Sequence, residues 1–471
     1  MKVFHALLML FFFSQIEAQS LSAKLSAALI ALDHDIQCKH AITSMYVINS
    51  KTGELVLNKN GQVGLAPASC QKIITSVTAF EMLGKEYRYS TAFILKSDLR
   101  TPGTSTFEVS GSGDPSLGSP RFANTSERII YKNIYQKLSD KKITALQWVV
   151  TNDLLFNNTS IPRGWPWEDV GNYYGAGAHQ LNWRENQYDV EFISKGPQTY
   201  TIVKSITPVQ PGIRFRNLVT AGPEGSADNG YLFFEPGDSS ILIQGTIPPN
   251  KNSFVISGAM PDPPKVFISG LRAYLSAQAP AIVIGNSRIV RDQIPNDNTS
   301  APTDGITGDT IYRQLSPAFD SLNYWFLKKS INLYGEAFLR TIAYEKSKVG
   351  STDSGVAVIK EFWSKRGVDR ASVNIFDGSG LSPANRVTAN ALVTVMQYAR
   401  SRSWFSSFYN ALPETNDIKM KDGYIGGVRT YTGYVNSRDG NAYTFCIMVN
   451  NFDGNPAEIR QKIWAVLDLM K

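Results

Sequence analysis

A long middle region of this sequence has a different texture from the regions on either side of it. From about Phe93 to Ala301 the chain consists of short alternating stretches cut by Gly, Pro, Asn and Asp, which is typical of β-strands joined by turns. Helical spacing of apolar residues precedes this region, at Leu21 to Asp33, and returns after it. A chain of 471 residues also exceeds the roughly 100–200 residues of one domain. We therefore predict a helix-and-sheet host domain that is split by a β-rich insert.

The C-terminal part of the chain supplies most of the predicted helices. One helical pattern covers residues 318–345 around Ser330, and two more cover 352–366 and 388–403. A final amphipathic helix runs from about Pro456 to Met470. Its polar face is not rich in Lys and Arg, so packing on a neighbouring sheet is favoured over lying on a membrane surface.

Strand patterns lie at both ends of the host domain. Ser44 to Asn58 alternates as two short strands around Lys51-Thr52-Gly53. Near the C-terminus, Tyr424 to Val435 and Ala442 to Asn450 indicate two strands that are joined by a turn at Asp439-Gly440. These segments are the predicted sheet of the host domain.

The first eighteen residues have the pattern of a secretory signal peptide. Lys2 precedes the apolar stretch Ala6 to Phe13, and Ile16-Glu17-Ala18 fits a cleavage site. The apolar stretch is too short to span a bilayer, and no later segment approaches about eighteen uninterrupted apolar residues. We therefore expect residues 1–18 to be removed, and the mature protein to be exported, soluble and without an integral membrane segment.

Composition argues against several classes of function. The 47 Lys and Arg against 40 Asp and Glu give a net charge of +7, which suits an anionic polymer; no basic run of about five residues appears, so no nucleic-acid partner is predicted. The four histidines have no metal-ligand spacing, so we expect no metal, no catalytic His and no cofactor. Cys38, Cys70 and Cys446 can close at most one disulfide, and three small buried side chains are the favoured interpretation.

One short motif pairs a nucleophile with a base. Ser69-Cys70-Gln71-Lys72 places a hydroxyl and an amine one turn apart on a helix predicted to begin at Pro67. The helix N-terminus favours a developing alkoxide, and burial would lower the pKa of the Lys72 amine towards a useful free base. A second Ser-x-x-Lys at Ser139 to Lys142 has no apolar run to bury it, so we interpret it as surface.

The same chemistry needs a second serine with an amide, to pass a proton to the leaving amine and to hold the substrate. Ser-x-Asn occurs three times, and Ser330-Ile331-Asn332 is preferred over the copies at Ser321 and Ser372. It follows the apolar stretch Trp325-Phe326-Leu327 and leads into a second helical run. Ser330 and Asn332 are therefore the candidates.

The third element is a lysine on a strand beside the nucleophile, followed by a glycine that lets a substrate backbone approach. Lys421-Asp422-Gly423 opens the C-terminal hairpin and comes after the serine in the chain. The literal Lys51-Thr52-Gly53 precedes the serine and has the pattern of a hairpin tip. We therefore choose Lys421.

These three motifs resemble those of the serine penicillin-recognising enzymes, Ser-x-x-Lys, Ser-Asp-Asn and Lys-Thr-Gly. More narrowly, the chain is similar to the D-alanyl-D-alanine carboxypeptidases/endopeptidases of penicillin-binding protein 4 type. Longer stretches carry this resemblance along almost the whole mature chain: Gly111 to Leu117, Pro162 to Trp167, Gly171 to Ala176 and Asp377 to Ser382. We interpret the Gly-Asp-Pro and Trp-Pro-Trp stretches as turn and packing residues that mark the family.

The resemblance implies the α/β (α+β type) fold of transpeptidases and β-lactamases. The catalytic domain would comprise residues 21–95 and 302–471, with a five-stranded antiparallel sheet flanked by helices. The β-rich insert, 96–301, would hold two smaller domains.

The resemblance also implies a periplasmic enzyme that acts on peptidoglycan peptides and is inhibited covalently by β-lactam antibiotics. Lys72 would take the proton of Ser69, which attacks the carbonyl of the penultimate D-Ala in a stem peptide or cross-link. Ser330, near Lys72 and Lys421, would relay the proton to the leaving amine, and Asn332 would hold the acyl side. The oxyanion hole would be formed by backbone N–H groups of Ser69 and Tyr424, in a substrate-binding strand that contains Asp422, Gly423 and Tyr424.

Two positions depart from the family pattern. Ile331 replaces the usual Asp, and Asp422 replaces the Thr or Ser whose hydroxyl can bind the substrate's terminal carboxylate. An ionised Asp422 would repel that carboxylate, unless it is protonated, turned away, or matched by a cation such as Arg429. Two rival interpretations remain open: a peptidoglycan-binding protein without turnover, and a secreted β-lactamase or esterase.

Overall fold

The computed structural model describes residues 21–98, 105–152, 156, 159–278, 282–290, 306–438 and 440–471. Residues 1–18, the predicted signal peptide, lie outside this part of the chain. The helices are α1 (21–33), α2 (Lys72–Met82), α3 (Glu127–Asp140), α4 (Trp167–Val170), α5 (Pro263–Gln278), α6 (Phe319–Lys328), α7 (Asn332–Ser347), α8 (Thr352–Ser364), α9 (Ala389–Arg400), α10 (Phe405–Ala411) and α11 (Pro456–Asp468).

The described strands number nineteen. They are β1 (Ile42–Asn49), β2 (Leu55–Lys59), β3 (Ser90–Asp98), β4 (Ser105–Ser110), β5 (Ala145–Asn152), β6 (Gln187–Ile193), β7 (Ile202–Thr207), β8 (Arg214–Ala221), β9 (Asn229–Phe234), β10 (Ser240–Ile247), β11 (Phe254–Ala259), β12 (Val283–Val290), β13 (Ile306–Leu315), β14 (Val373–Asn374), β15 (Arg386–Val387), β16 (Glu414–Thr415), β17 (Ile418–Ile425), β18 (Val428–Asn436) and β19 (Ala442–Asn450).

Internal contacts divide the described chain into two units. The first contains the residues up to Lys85 together with Asn323–Ile331 and Val356–Lys471, and the second contains Glu86–Leu322 and Asn332–Gly355. Three separate segments of the sequence therefore build the first unit. The predicted domain limits, 21–95 with 302–471 and 96–301, stay a prediction.

The first unit is built on one antiparallel sheet with the strand order β16-β17-β18-β19-β1-β2. Helices α1 and α11 pack on one face, where Leu25 and Leu29 join Ile459 and Ile463 in a core shared with the strands. Helix α9 packs against β19, β1 and α2. This confirms the predicted antiparallel sheet flanked by helices, and the prediction that the C-terminal helix packs on it. The sheet has one strand more than expected because the two-residue β16 pairs with the start of β17.

The second unit has a five-stranded mixed sheet, β12-β5-β4-β3-β13, and two three-stranded sheets, β8-β10-β9 and β11-β6-β7. A continuous apolar core, which includes Phe107, Trp183 and Phe267, also receives residues of α3 and α5. The β-rich texture was therefore predicted correctly. The motif at Ser139 ends a polar helical stretch in the sequence, which is α3, but α5, of 16 residues, was not predicted.

Two predicted boundaries were wrong. The helical pattern over 318–345 is interrupted at Ser330, whose φ of +56° is left-handed and ends α6 before α7 begins. The predicted strand Tyr424 to Val435 belongs to two strands, β17 and β18, because the chain turns at Gly426-Gly427. Of the predicted turn at Asp439-Gly440, Asp439 lies outside the described residues.

Smaller predictions were confirmed. The three cysteines are free and buried. Lys51 lies on an exposed hairpin tip, where Gly53 has a φ of +79°. The second Ser-x-x-Lys lies on the surface, since Ser139 and Lys142 are exposed. Among the described residues, no helix combines the length and apolar character needed to cross a bilayer.

The stretch Gly111 to Leu117 holds a buried carboxyl group in the second unit. Asp114 is 1% exposed, and its Oδ1 accepts hydrogen bonds from the backbone N–H and the hydroxyl of Ser116, at 2.8 and 2.6 Å. Within the described chain no donor reaches Oδ2. Burial raises the pKa of Asp114 to about 6, against its ordinary value of 3.8, although the two hydrogen bonds oppose the shift.

The raised pKa predicts a pH-dependent gain in stability for Asp114→Asn. The folded protein binds this proton more tightly than the unfolded chain, so the free energy of unfolding falls as the pH rises from about 4 to about 6. The neutral amide of Asp114→Asn does not titrate, so the variant does not lose this free energy of unfolding. Urea unfolding should therefore show a gain of about 3 kcal/mol for the variant at pH 7.5 and a much smaller gain at pH 4. Equal gains at both pH values, or a gain with the same pH dependence in the exposed control Asp140→Asn, would contradict the assignment.

Candidate active site

Ser69 lies in a tight turn that leads directly into α2. A 3₁₀ turn spans Ala68–Gln71, so the helix predicted from Pro67 begins as 3₁₀ and becomes α-helical at Lys72. Ala68 has a φ of +45°, a left-handed conformation that is uncommon for a residue with a Cβ. The backbone immediately before the nucleophile is therefore strained, as is frequent at functional sites.

The structure brings Ser69 and Lys72 together. Lys72 Nζ donates a hydrogen bond to Ser69 Oγ at 2.8 Å and another to the backbone carbonyl of Ser379 at 2.8 Å. The side chain of Lys72 is completely buried, and its Nζ lies 6.0 Å from the centroid of the Phe326 ring. The amine is thus fixed on one side of Ser69 and shielded from water.

The loop that supplies the Ser379 carbonyl is organised around Asp377, which is fully buried. Asp377 Oδ1 accepts hydrogen bonds from Gly380 N, Asn385 Nδ2 and Gln71 Nε2 at 2.9, 2.9 and 2.8 Å, and Oδ2 accepts one from Ser382 N at 2.7 Å. One carboxylate therefore holds the loop closed and ties it to the turn of Ser69.

This loop also lies directly against the Ser69 turn. A Cβ on Gly380, whose φ is +83°, would come within 2.0 Å of the carbonyl oxygen of Ala68. Thr75 on α2 donates a hydrogen bond to Gly378 O at 2.7 Å. In the sequence, Asp377 to Ser382 serve only as a marker of the family. The contact with Lys72 was not predicted because the contacting atom is the backbone oxygen of Ser379. The only signal of a tight loop in this stretch is the Gly-Ser-Gly run that follows Asp377.

Strand β17 covers the other side of the turn. A Cβ on Gly423 would lie 2.3 Å from Thr430 Oγ1, 2.8 Å from Pro67 O and 2.9 Å from Ser69 N. The hydroxyl of Thr430, opposite Gly423 on β18, donates to Pro67 O at 2.7 Å. Gly423 is therefore the residue that lets the strand approach the nucleophile.

Cys70 points into this packed region. Its Sγ donates to Lys421 O at 3.1 Å and lies 3.2 Å from the hydroxyl of Thr430. Burial raises the pKa of the Cys70 thiol to about 11. The residue next to the nucleophile therefore joins the turn to β17 as a neutral thiol.

Lys421 and Asp422 form an ion pair. Lys421 is 1% exposed, and its Nζ donates to both Oδ1 and the backbone oxygen of Asp422, each at 2.8 Å. Burial tends to raise the pKa of Asp422, but the nearby Lys421 ammonium, its hydrogen bond and the charge of Arg429 outweigh this and hold the pKa below its usual value of 3.8. Asp422 is therefore ionised at neutral pH and matched by cations, one of the three possibilities left open above.

The end of the hairpin is more exposed. Tyr424 is 48% exposed, and the Arg429 guanidinium lies 4.9 Å from the centroid of its ring. The use of the Tyr424 N–H as an oxyanion donor stays a prediction.

Ser330 lies just before α7, and Asn332 is the first residue of that helix. Ser330 belongs to the first unit, with Ser69, Lys72 and Lys421, and its left-handed backbone separates α6 from α7. Asn332 is grouped with the second unit, where its Nδ2 donates to the carbonyl of Tyr174 at 2.8 Å. Their predicted roles as proton relay and substrate ligand stay predictions.

Comparisons with known proteins identify the family of the chain. A model of the D-Ala-D-Ala carboxypeptidase 3 (S13) family matches residues 23–469. D-alanyl-D-alanine carboxypeptidase of Actinomadura sp. (strain R39) is 23% identical, over 91% of this chain and 81% of that protein. D-alanyl-D-alanine carboxypeptidase DacB of Haemophilus influenzae is 21% identical, over 88% of this chain and 86% of that protein.

Solved structures support the same fold. The crystal structure of penicillin binding protein 4 (DacB) from Haemophilus influenzae aligns with a TM-score of 0.73 at 19% identity, over 90% of this chain and 94% of that one. A second crystal structure of that protein is a complex with a β-lactam and aligns with a TM-score of 0.70. Because the family model covers nearly the whole described chain, the resemblance inferred from the motifs is confirmed, and the chain belongs to the D-Ala-D-Ala carboxypeptidase 3 (S13) family of serine-type hydrolases.

Proposed function

We propose that this protein hydrolyses D-Ala-D-Ala amide bonds of peptidoglycan peptides through an acyl-enzyme on Ser69. The observation that carries the proposal is the 2.8 Å contact between Ser69 Oγ and the buried Lys72 Nζ. The family supplies the substrate class, since its members are D-Ala-D-Ala carboxypeptidases. Terminal D-Ala-D-Ala and D-Ala cross-links share the same acyl group, so both carboxypeptidase and endopeptidase activity follow from one site.

In the proposed first step, Lys72 in its neutral form takes the hydroxyl proton of Ser69 as Oγ attacks the carbonyl carbon of the penultimate D-Ala. The proton can lie on either atom of the existing contact, so its transfer requires no movement of the heavy atoms. The hydrogen bond to Ser379 O fixes the direction of the amine throughout. Lys72 thus acts as the base and is held in place by the backbone.

The developing negative charge on the substrate oxygen needs donors that are already in place. We assign these to the backbone N–H groups of Ser69 and Tyr424. This assignment is supported by the close approach of Gly423 to Ser69 N, which places the two segments side by side. Ser330 would then pass the proton to the leaving amine, and Asn332 would hold the acyl side of the substrate. Water then hydrolyses the ester of the acyl-enzyme, which releases the peptide product and restores Ser69.

The proposed acylation of Ser69 also predicts a class of inhibitors, and the proposed substrate indicates a location. A β-lactam is a strained amide that would acylate Ser69 by the same attack, so we expect β-lactams to act as covalent inhibitors. The signal-like residues 1–18 favour export, and a peptidoglycan substrate supports a periplasmic location.

The proposal predicts that Ser69→Ala abolishes cleavage. Purified cross-linked muropeptides should yield free D-Ala or split dimers with the wild-type protein, and the variant should be at least about 10³-fold slower, because the covalent step is lost. Products are separated chromatographically, and intact-protein mass spectrometry after incubation with labelled penicillin should show an adduct on Ser69.

Each other result has a definite meaning. A folded wild-type protein that binds muropeptides without cleaving them and forms no adduct would favour the binding-protein interpretation. Rapid turnover of penicillin without a lasting adduct would favour a β-lactamase. Cleavage by Ser69→Ala at the wild-type rate would place the chemistry on other residues.

The close packing at Gly423 predicts a second outcome. In Gly423→Ala the new methyl group must displace the Ser69 turn or Thr430, and a shift of about 1 Å at a nucleophile can cost on the order of 10²-fold in rate. We expect kcat/KM to fall by about that factor, measured on the same muropeptides. Gly426→Ala, three residues along the same hairpin, is the matched control because a Cβ there meets nothing within 4 Å. Similar losses in both variants, or none in either, would show that the approach of β17 does not matter.

A further inference from the structure

The Lys421–Asp422 ion pair lies at an edge of β17. Side chains alternate along a strand, so Lys421 and Gly423 start from the face that covers the Ser69 turn and Asp422 starts from the opposite face. Even so, Asp422 Oδ1 lies 2.8 Å from Lys421 Nζ. Lys421 Nζ also contacts the backbone oxygen of Asp422, which lies in the plane of the sheet, so the two side chains meet at an edge of the strand.

No described strand pairs with that edge over the residues beside Ser69. On the side away from β18, the described partner of β17 is β16, which pairs only with Ile418 and Lys419. The paired part of the edge thus ends before Lys421, among the strands that the structure describes. The exposed fraction of the Asp422 side chain is 47%, against 1% for that of Lys421. The member of the ion pair that faces solvent here is the anion.

Lys421 and Arg429 do not cancel the negative charge that Asp422 presents to solvent. The charge of Lys421 is already balanced by Asp422, through the two hydrogen bonds described above. The guanidinium of Arg429 lies over the rings of Tyr424 and Tyr431, at 4.9 and 6.0 Å from their centroids. Tyr431, opposite Asp422 in the sheet, belongs to the core between the sheet and helices α1 and α11. Arg429 therefore stabilises Asp422 from the face that is turned away from Ser69.

We infer, on the basis of the proposed hydrolysis at Ser69, that Asp422 is a specificity-determining residue that selects amides whose leaving residue carries a neutral group, such as a carboxamide, in place of a free carboxylate. A leaving residue with a carboxylate meets a fixed negative charge instead of the Lys421 ammonium, which is already occupied. A carboxamide has no charge to repel, and its N–H groups can donate to the exposed oxygen of Asp422. The substrate class is therefore D-Ala amides with an uncharged or amidated leaving residue, terminal or cross-linked.

The selection should act mainly on binding. The carboxylate of the leaving residue keeps its charge from the free substrate to the transition state, so its repulsion by Asp422 is present at both stages and raises KM more than it lowers kcat. Like charges in contact near a protein surface repel strongly enough to change affinity by at least about tenfold at moderate salt. A purely structural role of the Lys421–Asp422 pair would instead lower kcat for both kinds of substrate equally.

The test compares two synthetic peptides with the mature wild-type protein: an N-acylated peptide that ends in D-Ala-D-Ala and the same peptide that ends in D-Ala-D-Ala-amide. Hydrolysis breaks the same C–N bond in both, and water adds to give acyl-D-Ala and either D-Ala or D-Ala-amide. We expect kcat/KM for the amide to exceed that for the carboxylate by at least about tenfold, mostly through KM. In Asp422→Asn the preference should shrink to near unity, and in Asp422→Thr it should reverse.

The control is Asp417→Asn. It removes one negative charge from the start of the same hairpin, where the Asp417 side chain is 96% exposed and lies about 17 Å from Asp422 along the strand. This variant should keep the wild-type preference. A wild-type preference for the carboxylate, equal rates on both peptides, or a preference that persists in Asp422→Asn would overturn the inference while leaving hydrolysis at Ser69 intact. If no peptide or muropeptide is cleaved and no adduct forms on Ser69, the proposed function itself fails, and the inference fails with it.

Discussion

The hydrogen bond between Lys72 and Ser69 is the interaction on which the rest of the site depends. Neither partner is held by α2 alone. The Ser379 carbonyl fixes the amine from a loop some three hundred residues further along the chain, and Gly423 brings β17 against the backbone of Ser69. The left-handed Ala68 persists because both of these segments pack around it. The geometry around Ser69 is thus a property of three chain segments that only the fold brings together.

Much of this arrangement could be predicted from local patterns. The helices around Lys72, over 352–366 and over 388–403 were predicted because their apolar residues recur with helical spacing. The motif at Ser69 was chosen over the one at Ser139 because only the first precedes an apolar run, and the burial of Lys72 agrees with that choice. Such patterns predict the structure correctly where the residues with helical spacing are also the residues that the fold buries.

The errors occurred where backbone conformation or a backbone atom decides the outcome. The break at Ser330 depends on one left-handed residue, which no apolar periodicity reveals. The boundary between β17 and β18 was missed because the strand pattern continues through the turn at Gly426-Gly427. The Ser379 carbonyl could not be found from side-chain types, since every residue has one. The state of Asp422 depends on the contact between its carboxylate and the Lys421 ammonium, which a sequence does not specify.

Cys70 has a consequence for the chemical selectivity of the enzyme. A thiol is intrinsically a better nucleophile than a hydroxyl once it is ionised, and this one is the immediate neighbour of Ser69 in the chain. Its burial between Thr430 and Lys421, together with its high pKa, keeps it protonated. Alkylating reagents and oxidants that modify exposed thiolates should therefore leave Cys70 unmodified beside Ser69.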